Sequence, residues 1–368
     1  MTDFAVIGGG IAGVSAAAHL APYGSVTLFE SERTLAFHTT GRSAAMFVAN
    51  YGAEGSRPLG LASRAFFEHP PDGSVDTPLL SDRGLLWISD QTRLDRLRTI
   101  ASEGDALGAG SVLVDSHEIL RLVPKLRPER IAGGLYEPNA LDIDVAALHQ
   151  AFVRIARKAG AEIRVSSPVT GLARLGSGWR VSTPDDNIDC TSVVNASGAW
   201  GDIVARLAGI EPVGLQPMRR TAFMVPGDQA YARWPFVVDV EQLFYFRPDG
   251  AQLLCSLAEE TPSPPLDPRP DMADVALAIE RINEATTLDI RSVNSQWTGL
   301  RTFAPDREMV IGEEPTAPGF FWLVGQGGTG IQTAPAYGAL VASQVLGSGM
   351  RPDLSDIDPA VTSPIRFR

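Results

Sequence analysis

A glycine-rich turn near the N-terminus restricts the fold of this chain more than any other segment. The apolar run at 4–7 is typical of a short strand, and it leads directly into Gly8-Gly-Gly-Ile-Ala-Gly13, which fits the pattern G-x-G-x-x-G. Residues 14–20 are typical of a helix and residues 25–29 of a second strand, which ends at Glu30. These parts, in this order, predict a βαβ unit that binds a dinucleotide.

Each part of this unit has a physical role. Gly8 allows the tight turn, Gly10 lets the backbone approach a pyrophosphate, and Gly13 lets helix and strand pack closely. The first helical N–H groups face the phosphates, and Glu30 can accept hydrogen bonds from a ribose and argues against NADP. An unrelated glycine-rich turn is the alternative, and the motif alone leaves NAD and FAD open. The residues predicted to bind the cofactor here are Gly8, Gly10, Ile11, Ala12, Gly13, Glu30 and Ser31.

Composition excludes several other classes of protein. The 368 residues predict about two domains, and the net charge of −12 argues against a nucleic-acid partner. Cys190 and Cys255 are the only cysteines, so they exclude a disulfide scaffold and suit a reducing cytoplasm. The five histidines form no spaced cluster, so we predict no metal site. The uncharged stretch before Glu30 is interrupted by glycines, so we predict no transmembrane segment and a cytoplasmic location.

Signals for ligand contact recur along the chain. Residues 39–45 form a polar loop that contains Arg42 and Ser43, and a buried strand at 192–194 leads into Asn-Ala-Ser-Gly-Ala-Trp at 195–200. Near the C-terminus, the strand at 320–324 is followed by Gly-Gln-Gly-Gly-Thr-Gly and by a helix from about residue 331. Residues 141–155 have helical spacing. One long dinucleotide explains this spread better than several ligands do, which favours FAD over NAD.

Together these segments resemble the D-amino acid oxidase superfamily of FAD enzymes, and within it the bacterial FAD-dependent D-arginine dehydrogenases. The resemblance covers nearly the whole length. The segments that carry it are 6–13, 40–45, 63–67, 142–144, 148–150, 214–217, Arg219-Arg220, 297–301 and 325–330.

The resemblance implies an α/β fold (α+β overall) with two interleaved domains. A Rossmann-like FAD-binding domain is expected at 1–77, 141–208 and 302–368. A substrate-binding domain with an antiparallel sheet is expected at 78–140 and 209–301. FAD is expected to be noncovalent, because neither Cys190 nor Cys255 lies in the flavin segments around residues 302–310. The further FAD contacts implied are Thr40, Gly41, Arg42, Ser43, Ala45, Val169, Ser197, Gly198, Trp200, Arg301, Gly327, Gly328, Thr329, Gly330, Ile331 and Gln332.

The chemistry implied by the resemblance is oxidation of an amino acid at Cα. A hydride moves to flavin N5, and water hydrolyses the imino acid to a 2-oxo acid and ammonia. Arg301 and Tyr245 match the residues that hold the substrate carboxylate. Arg220 also matches a site residue, and because adjacent strand residues face opposite ways, Arg219 is expected outside the site. Tyr51 matches a tyrosine on a loop over the substrate, and the Gly328 carbonyl matches the acceptor for the amine.

Departures from D-arginine dehydrogenase concern the substrate side chain. This chain has Met46 where that enzyme has His, Leu85 where it has Glu, and Thr329 where it has Tyr. A buried guanidinium without an acid is costly, so we predict a preference for neutral, hydrophobic D-amino acids. Met46 and Leu85 as plain core residues are the alternative to a role in specificity.

Several alternatives for the activity stay open. The electron acceptor of a dehydrogenase would be quinone-like, whereas an oxidase of the same substrates would use O2. The same scaffold could also oxidise N-methyl amino acids, imino acids or 2-hydroxy acids. A noncatalytic flavin-binding subunit is the alternative from another class.

Overall fold

The computed structural model describes all 368 residues, Met1–Arg368. It contains nine α-helices, which alternate with strands along most of the chain. They are α1 (Ile11–Leu20), α2 (Arg57–Glu68), α3 (Leu94–Ala106), α4 (Ser116–Leu122), α5 (Val145–Lys158), α6 (Gly201–Leu207), α7 (Met272–Ala285), α8 (Ala334–Val345) and α9 (Pro359–Thr362). None of the nine combines the length and the apolar composition that a membrane crossing requires.

Twenty strands form three sheets. They are β1 (Thr2–Ile7), β2 (Val26–Phe29), β3 (Met46–Phe47), β4 (Leu80–Asp82), β5 (Leu85–Ser89), β6 (Val112–Val114), β7 (Gly133–Glu137), β8 (Leu141–Ile143), β9 (Glu162–Arg164), β10 (Gly171–Leu175), β11 (Gly178–Ser182), β12 (Asn187–Asn195), β13 (Gln216–Pro226), β14 (Phe236–Asp239), β15 (Tyr245–Asp249), β16 (Gln252–Ser256), β17 (Thr261–Pro262), β18 (Ser295–Phe303), β19 (Val310–Glu313) and β20 (Phe320–Val324).

The first sheet is parallel at its centre, in the order β9-β2-β1-β12-β20. Its central strands are apolar on both faces, as buried parallel strands must be, and α1, α5 and α8 cover one face. The antiparallel β19 borders β20, and β10 and β11 form a meander with the first half of β12. The predicted βαβ unit is therefore present as β1, α1 and β2.

Two helices begin later than the sequence predicts. The segment from 141 starts as β8, and α5 begins only at Val145, because the Asp144 carboxylate caps the helix by accepting the Ala147 N–H. In the C-terminal segment, turns occupy 327–333, and α8 begins at Ala334. In both places the apolar spacing continues through residues that pair or turn instead.

The second sheet is largely antiparallel, in the order β18-β13-β16-β15-β14-β5-β7-β6, and only β5 and β14 run parallel. The edge strand β17 also pairs with β13, and β3, β8 and β4 form a separate small sheet. An α/β fold with one parallel and one antiparallel sheet confirms the predicted fold class. The predicted domain boundaries stay a prediction.

The register of the second sheet places the residues of interest on one face. Arg220 lies opposite Gly299, and Met218 opposite Arg301, so Arg220 and Arg301 share a face. Tyr245 reaches the same face through its pairing with Ser256. Helix α7 packs against β13 and β16 on the opposite face. The face with the two arginines and the tyrosine is therefore turned toward the parallel sheet.

Candidate active site

One large cavity, of about 320 Å³, runs from the glycine turn to the antiparallel sheet. The residues that line it come from both large sheets, although they are far apart in the chain. The predicted site residues along it are Gly8, Gly10, Ile11, Ala12, Glu30, Ser31, Thr40, Arg42, Ser43, Ala45, Val169, Ser197, Gly198, Trp200, Arg220, Tyr245, Arg301, Gly327, Gly328, Gly330 and Ile331.

The glycine turn tolerates no side chain at two of its positions. Gly8 has φ +110°, and a Cβ there would lie 2.5 Å from the Ala196 carbonyl oxygen. A Cβ on Gly13 would lie 1.8 Å from the Gly8 carbonyl oxygen. Gly13 does not line the cavity, so its contribution is close packing of α1 on β1. A Cβ on Gly10 would lie 3.2 Å from Thr40 Oγ1, and Gly10 lines the cavity, so its bare backbone suits the close approach of a ligand.

Hydrogen bonds hold the turn from two sides. The Glu30 carboxylate accepts the Gly9 N–H through Oε2 at 2.7 Å and the Glu32 N–H through Oε1 at 2.8 Å. The Ser31 hydroxyl also donates to Oε1, at 3.1 Å. A carboxylate accepts about four hydrogen bonds, so Glu30 can still receive about one from a ribose. The buried His149 donates from Nε2 to the Gly9 carbonyl at 3.0 Å, and burial lowers its pKa, which keeps it neutral. His149 therefore has a structural role.

The loop at 39–45 ties the two sheets together. Thr40 Oγ1 accepts the Ile11 N–H at 3.0 Å, and the Thr39 hydroxyl donates to the Leu300 carbonyl at 2.8 Å. Arg42 donates to the Thr298 carbonyl at 2.8 Å and pairs with Asp267 at 2.7 Å. Its charge is thus partly compensated by the protein. Gly41, which was also predicted to contact FAD, packs against the Ala36 carbonyl and does not line the cavity.

The turn that follows β12 lies at the cofactor end of the cavity. The Ser197 hydroxyl donates to Asn195 at 2.6 Å, in the turn that follows β12. The Trp200 ring lies 4.6 Å from the His38 ring, between ring centroids. Sequence analysis missed His38, which also lines the cavity. Its position directly before the polar loop at 39–45 was the available signal.

The turn after β20 approaches the arginine closely. A Cβ on Gly328 would lie 3.0 Å from the Tyr51 hydroxyl and 3.1 Å from Arg301 Nη1. Thr329 and Gln332, which were also predicted to contact FAD, do not line the cavity. The Thr329 side chain packs against Gly52, and the Gln332 amide accepts the Val48 N–H at 3.0 Å. Their contact with FAD stays a prediction.

Arg301 is the central cation at the substrate end. Its Nη1 donates to the Tyr51 hydroxyl at 3.2 Å, and no carboxylate lies within 4 Å of its guanidinium. The guanidinium lowers the pKa of Tyr51. Burial, together with Arg301, lowers the pKa of Arg220, which is only 8% exposed. Arg220, Arg301 and Tyr245 thus line one place in the cavity, and Tyr51, which does not line the cavity, contacts Arg301 there through its hydroxyl.

Apolar residues continue the sheet face next to Tyr245. Leu85 is buried in one cluster with Val48, Trp87 and Tyr245, and Met46 packs against that cluster. Neither Leu85 nor Met46 lines the main cavity. Arg219 lies on the opposite face from Arg220 and donates to the Arg269 carbonyl at 2.8 Å, as strand alternation predicts.

Comparison with known proteins supplies the family. The model of the family described as "DAO: FAD dependent oxidoreductase" matches residues 3–344. The chain belongs to this family. FAD is its cofactor, and the glycine turn, the Glu30 carboxylate and the residues that line the cavity fit that molecule. Both cysteines are buried away from the cavity, and noncovalent attachment of FAD stays a prediction.

Individual relatives of this FAD-dependent oxidoreductase differ in their reactions. Human sarcosine dehydrogenase is 26% identical over 96% of this chain and 40% of its own length. Glycine oxidase of Geobacillus kaustophilus is 27% identical over 93% of this chain and 92% of its own length. The mouse pyruvate dehydrogenase phosphatase regulatory subunit is 23% identical over 92% of this chain and 40% of its own length. The chain thus spans about 40% of the length of the first curated relatives it matches.

Solved structures agree with the fold. The L-proline dehydrogenase from P. horikoshii has a TM-score of 0.86 at 20% identity, covering 100% of this chain and 97% of the other. The glycine oxidase of Geobacillus kaustophilus has a TM-score of 0.84 at 24% identity, covering 97% and 98%. A particular similarity to D-arginine dehydrogenase stays a prediction.

Proposed function

We propose that the chain oxidises D-amino acids with neutral, hydrophobic side chains, giving a 2-oxo acid and ammonia after hydrolysis of the imino acid. The observation that carries this proposal is the half-buried guanidinium of Arg301, which lines the end of the FAD cavity and has no acidic partner. A half-buried cation without an acid favours an anionic ligand, and the carboxylate of an amino acid supplies one.

The residues around Arg301 fit the recognition of a carboxylate. A guanidinium binds a carboxylate through two parallel hydrogen bonds, and here only one of its donors is engaged by the protein. The hydroxyls of Tyr51 and Tyr245 lie beside it and can donate to the same carboxylate. Arg220 adds a second positive charge on the same sheet face. Arg301 and the two tyrosines would fix one end of the substrate.

Positioning is the main task in this reaction. When bound, FAD supplies a flavin that takes up two electrons and the hydrogen from Cα. The Gly328 backbone lies against Arg301 and Tyr51, so its carbonyl can accept a hydrogen bond from the neutral substrate amine. The carboxylate and the amine are then held at two points, which fixes the direction of the Cα–H bond. The D configuration rests on the resemblance of these residues to D-arginine dehydrogenase.

The apolar neighbours support a neutral side chain. Leu85 and Met46 bring no charge to the sheet face beside Tyr245. A guanidinium or ammonium group next to them would lose water without gaining a partner. We retain a cytoplasmic location as part of the proposal, because two unpaired cysteines suit a reducing compartment.

The relatives favour a second candidate, which is oxidation of N-methyl amino acids. Sarcosine and dimethylglycine dehydrogenases match 96% of this chain, and these names denote substrates with one carboxylate and a methylated amine. Glycine oxidase supports the use of O2 in place of a quinone-like acceptor. The relative that is a phosphatase regulatory subunit supports a noncatalytic role as the alternative from another class.

Anaerobic absorbance of the purified flavoprotein tests these candidates together. D-leucine and D-methionine should bleach the flavin band, whereas their L-forms and D-arginine should not. Faster bleaching by sarcosine would select the second candidate, and faster bleaching by D-arginine would reject the argument from Leu85. A flavin that no amino acid bleaches would contradict the proposal. Peroxide release in air then separates an oxidase from a dehydrogenase.

A further inference from the structure

Two guanidinium groups line the substrate end of the cavity, but only one lacks an acidic partner. Arg220 Nη2 lies 3.4 Å from Glu260 Oε1, and Arg220 Nε donates to the Glu259 carbonyl at 2.8 Å. Arg301 contacts the Tyr51 hydroxyl and no acid. Arg220 is thus paired with an acid of the protein, whereas Arg301 is available to bind a ligand.

We propose that Glu260 determines specificity, because by occupying Arg220 it restricts the site to substrates with a single carboxylate and disfavours dicarboxylic amino acids. This inference rests on the proposed function and names the residue that disfavours a second carboxylate in the substrate. Dicarboxylates need a second cationic donor for their second carboxylate, and Glu260 competes with the ligand for that donor.

The surroundings of Glu260 hold it in this position. Both of its carboxylate oxygens lie within 3.1 Å of Arg307 Nη2. The Arg307 guanidinium lies 3.8 Å from the centroid of the Phe303 ring, which packs against Gly327. Glu260 is therefore held between an arginine that lines the cavity and an arginine that is half exposed.

The charges around this end of the cavity match one carboxylate. Arg301 and Arg220 line the cavity, whereas Arg307, Glu260 and Glu259 lie outside its lining. The Glu259 carboxylate accepts the N–H of Thr221, in the gap between β16 and β17 on the edge of β13. Burial raises the pKa of the Glu259 carboxyl. When both acids are ionised, the three cations and two anions leave one positive charge. A single carboxylate compensates that charge, and a second would introduce a negative charge without a free partner.

Replacement of Glu260 by Gln tests the inference. The amide keeps the shape of the side chain, but it releases the guanidinium of Arg220 from its ionic partner. We expect the ratio of dissociation constants for propionate and succinate to move about tenfold in favour of succinate, as one gained charge-assisted hydrogen bond predicts. The ratio of kcat/KM for D-aspartate and D-alanine should move in the same direction.

The binding measurement uses the FAD-loaded protein. Propionate and succinate have no amine, so they bind without turnover, and flavin absorbance and the shift in unfolding temperature each report a dissociation constant. Glu284→Gln is the matched control, since Glu284 is exposed on α7, which packs on the other face of the antiparallel sheet. Glu260→Ser also removes the ionic partner of Arg220, so it should move the ratio of dissociation constants in favour of succinate as well.

The outcomes separate this inference from the proposed function. A ratio that moves in both Glu260 variants and not in Glu284→Gln supports the inference. An unchanged ratio in the Glu260 variants, while Arg301→Met abolishes propionate binding, overturns the inference and leaves the carboxylate site intact. If neither acid binds the wild-type protein by either measurement, the carboxylate site itself is rejected and the inference falls with it.

Discussion

Replacement of Arg301 by Lys or Met measures directly what its guanidinium contributes. A charge-assisted hydrogen bond is worth about 1.5–3 kcal/mol, and a bidentate pair therefore about twice that. Lysine keeps the charge but cannot form two parallel hydrogen bonds with a carboxylate, so kcat/KM should fall by roughly 10- to 150-fold. Methionine removes both hydrogen bonds and should lower kcat/KM by roughly 150-fold or more. Because no acid pairs with Arg301, neither substitution leaves a buried carboxylate without a partner. We therefore expect the variants to fold and to retain FAD.

The assay compares an amino acid with the amine that lacks its carboxylate, in steady-state kinetics or by anaerobic flavin bleaching. The loss caused by Arg301→Met should appear for the amino acid and disappear for the amine. Arg219→Met is the matched control, since Arg219 lies on β13, which pairs with the strand of Arg301, β18, but its side chain is on the face away from the cavity. Equal losses for both substrates would show that Arg301 has only a structural role and would refute the reasoning.

Three further predictions concern the cofactor and stability. Glu30→Ala should raise the FAD dissociation constant by about tenfold or more, measured by flavin fluorescence on dilution, and an unchanged affinity would contradict the role of Glu30. Burial raises the pKa of Glu314, but hydrogen bonds, led by that of Arg368, bring the pKa to about 2, below the ordinary 4.5. The ionised Glu314 therefore stabilises the folded state, and this contribution should be lost as pH falls from 4.5 toward 2. Arg368→Ala should lower the free energy of unfolding in urea at pH 7 by about 3 kcal/mol, with a smaller difference in acid. Burial lowers the pKa of His19 to about 4, so stability should fall by at most about 3 kcal/mol from pH 6.5 to 4, and His19→Gln should remove that dependence.

Local patterns in the sequence predicted the parts of the site that depend on neighbouring residues. The βαβ unit follows from the glycine spacing, and the opposite directions of Arg219 and Arg220 follow from strand alternation. The strand at 320–324 has the bounds that the sequence predicts. In each case the determining contacts lie within a few residues along the chain.

Contacts between distant segments could not be predicted in this way. Arg42 pairs with Asp267, and Gln332 accepts the Val48 N–H, because the fold brings together segments more than 200 residues apart. The pairing of Glu260 with Arg220 depends on the irregular chain between β16 and β17, where Ala258 has φ +60°. A local sequence pattern carries no information on such pairings, since they follow from the register of the sheets.

The Gly9 peptide groups show how the cofactor end is prepared for its ligand. The Gly9 N–H donates to Glu30, which follows β2, and the Gly9 carbonyl accepts from His149 on α5 and from the Ala36 N–H at 3.1 Å. Each of these partners comes from a different segment, so the orientation of the turn is over-determined. A turn that is already ordered loses little conformational entropy when a phosphate binds to it, and more of the interaction energy appears as affinity. The same reasoning explains why a histidine without a chemical role is buried beside the glycine motif.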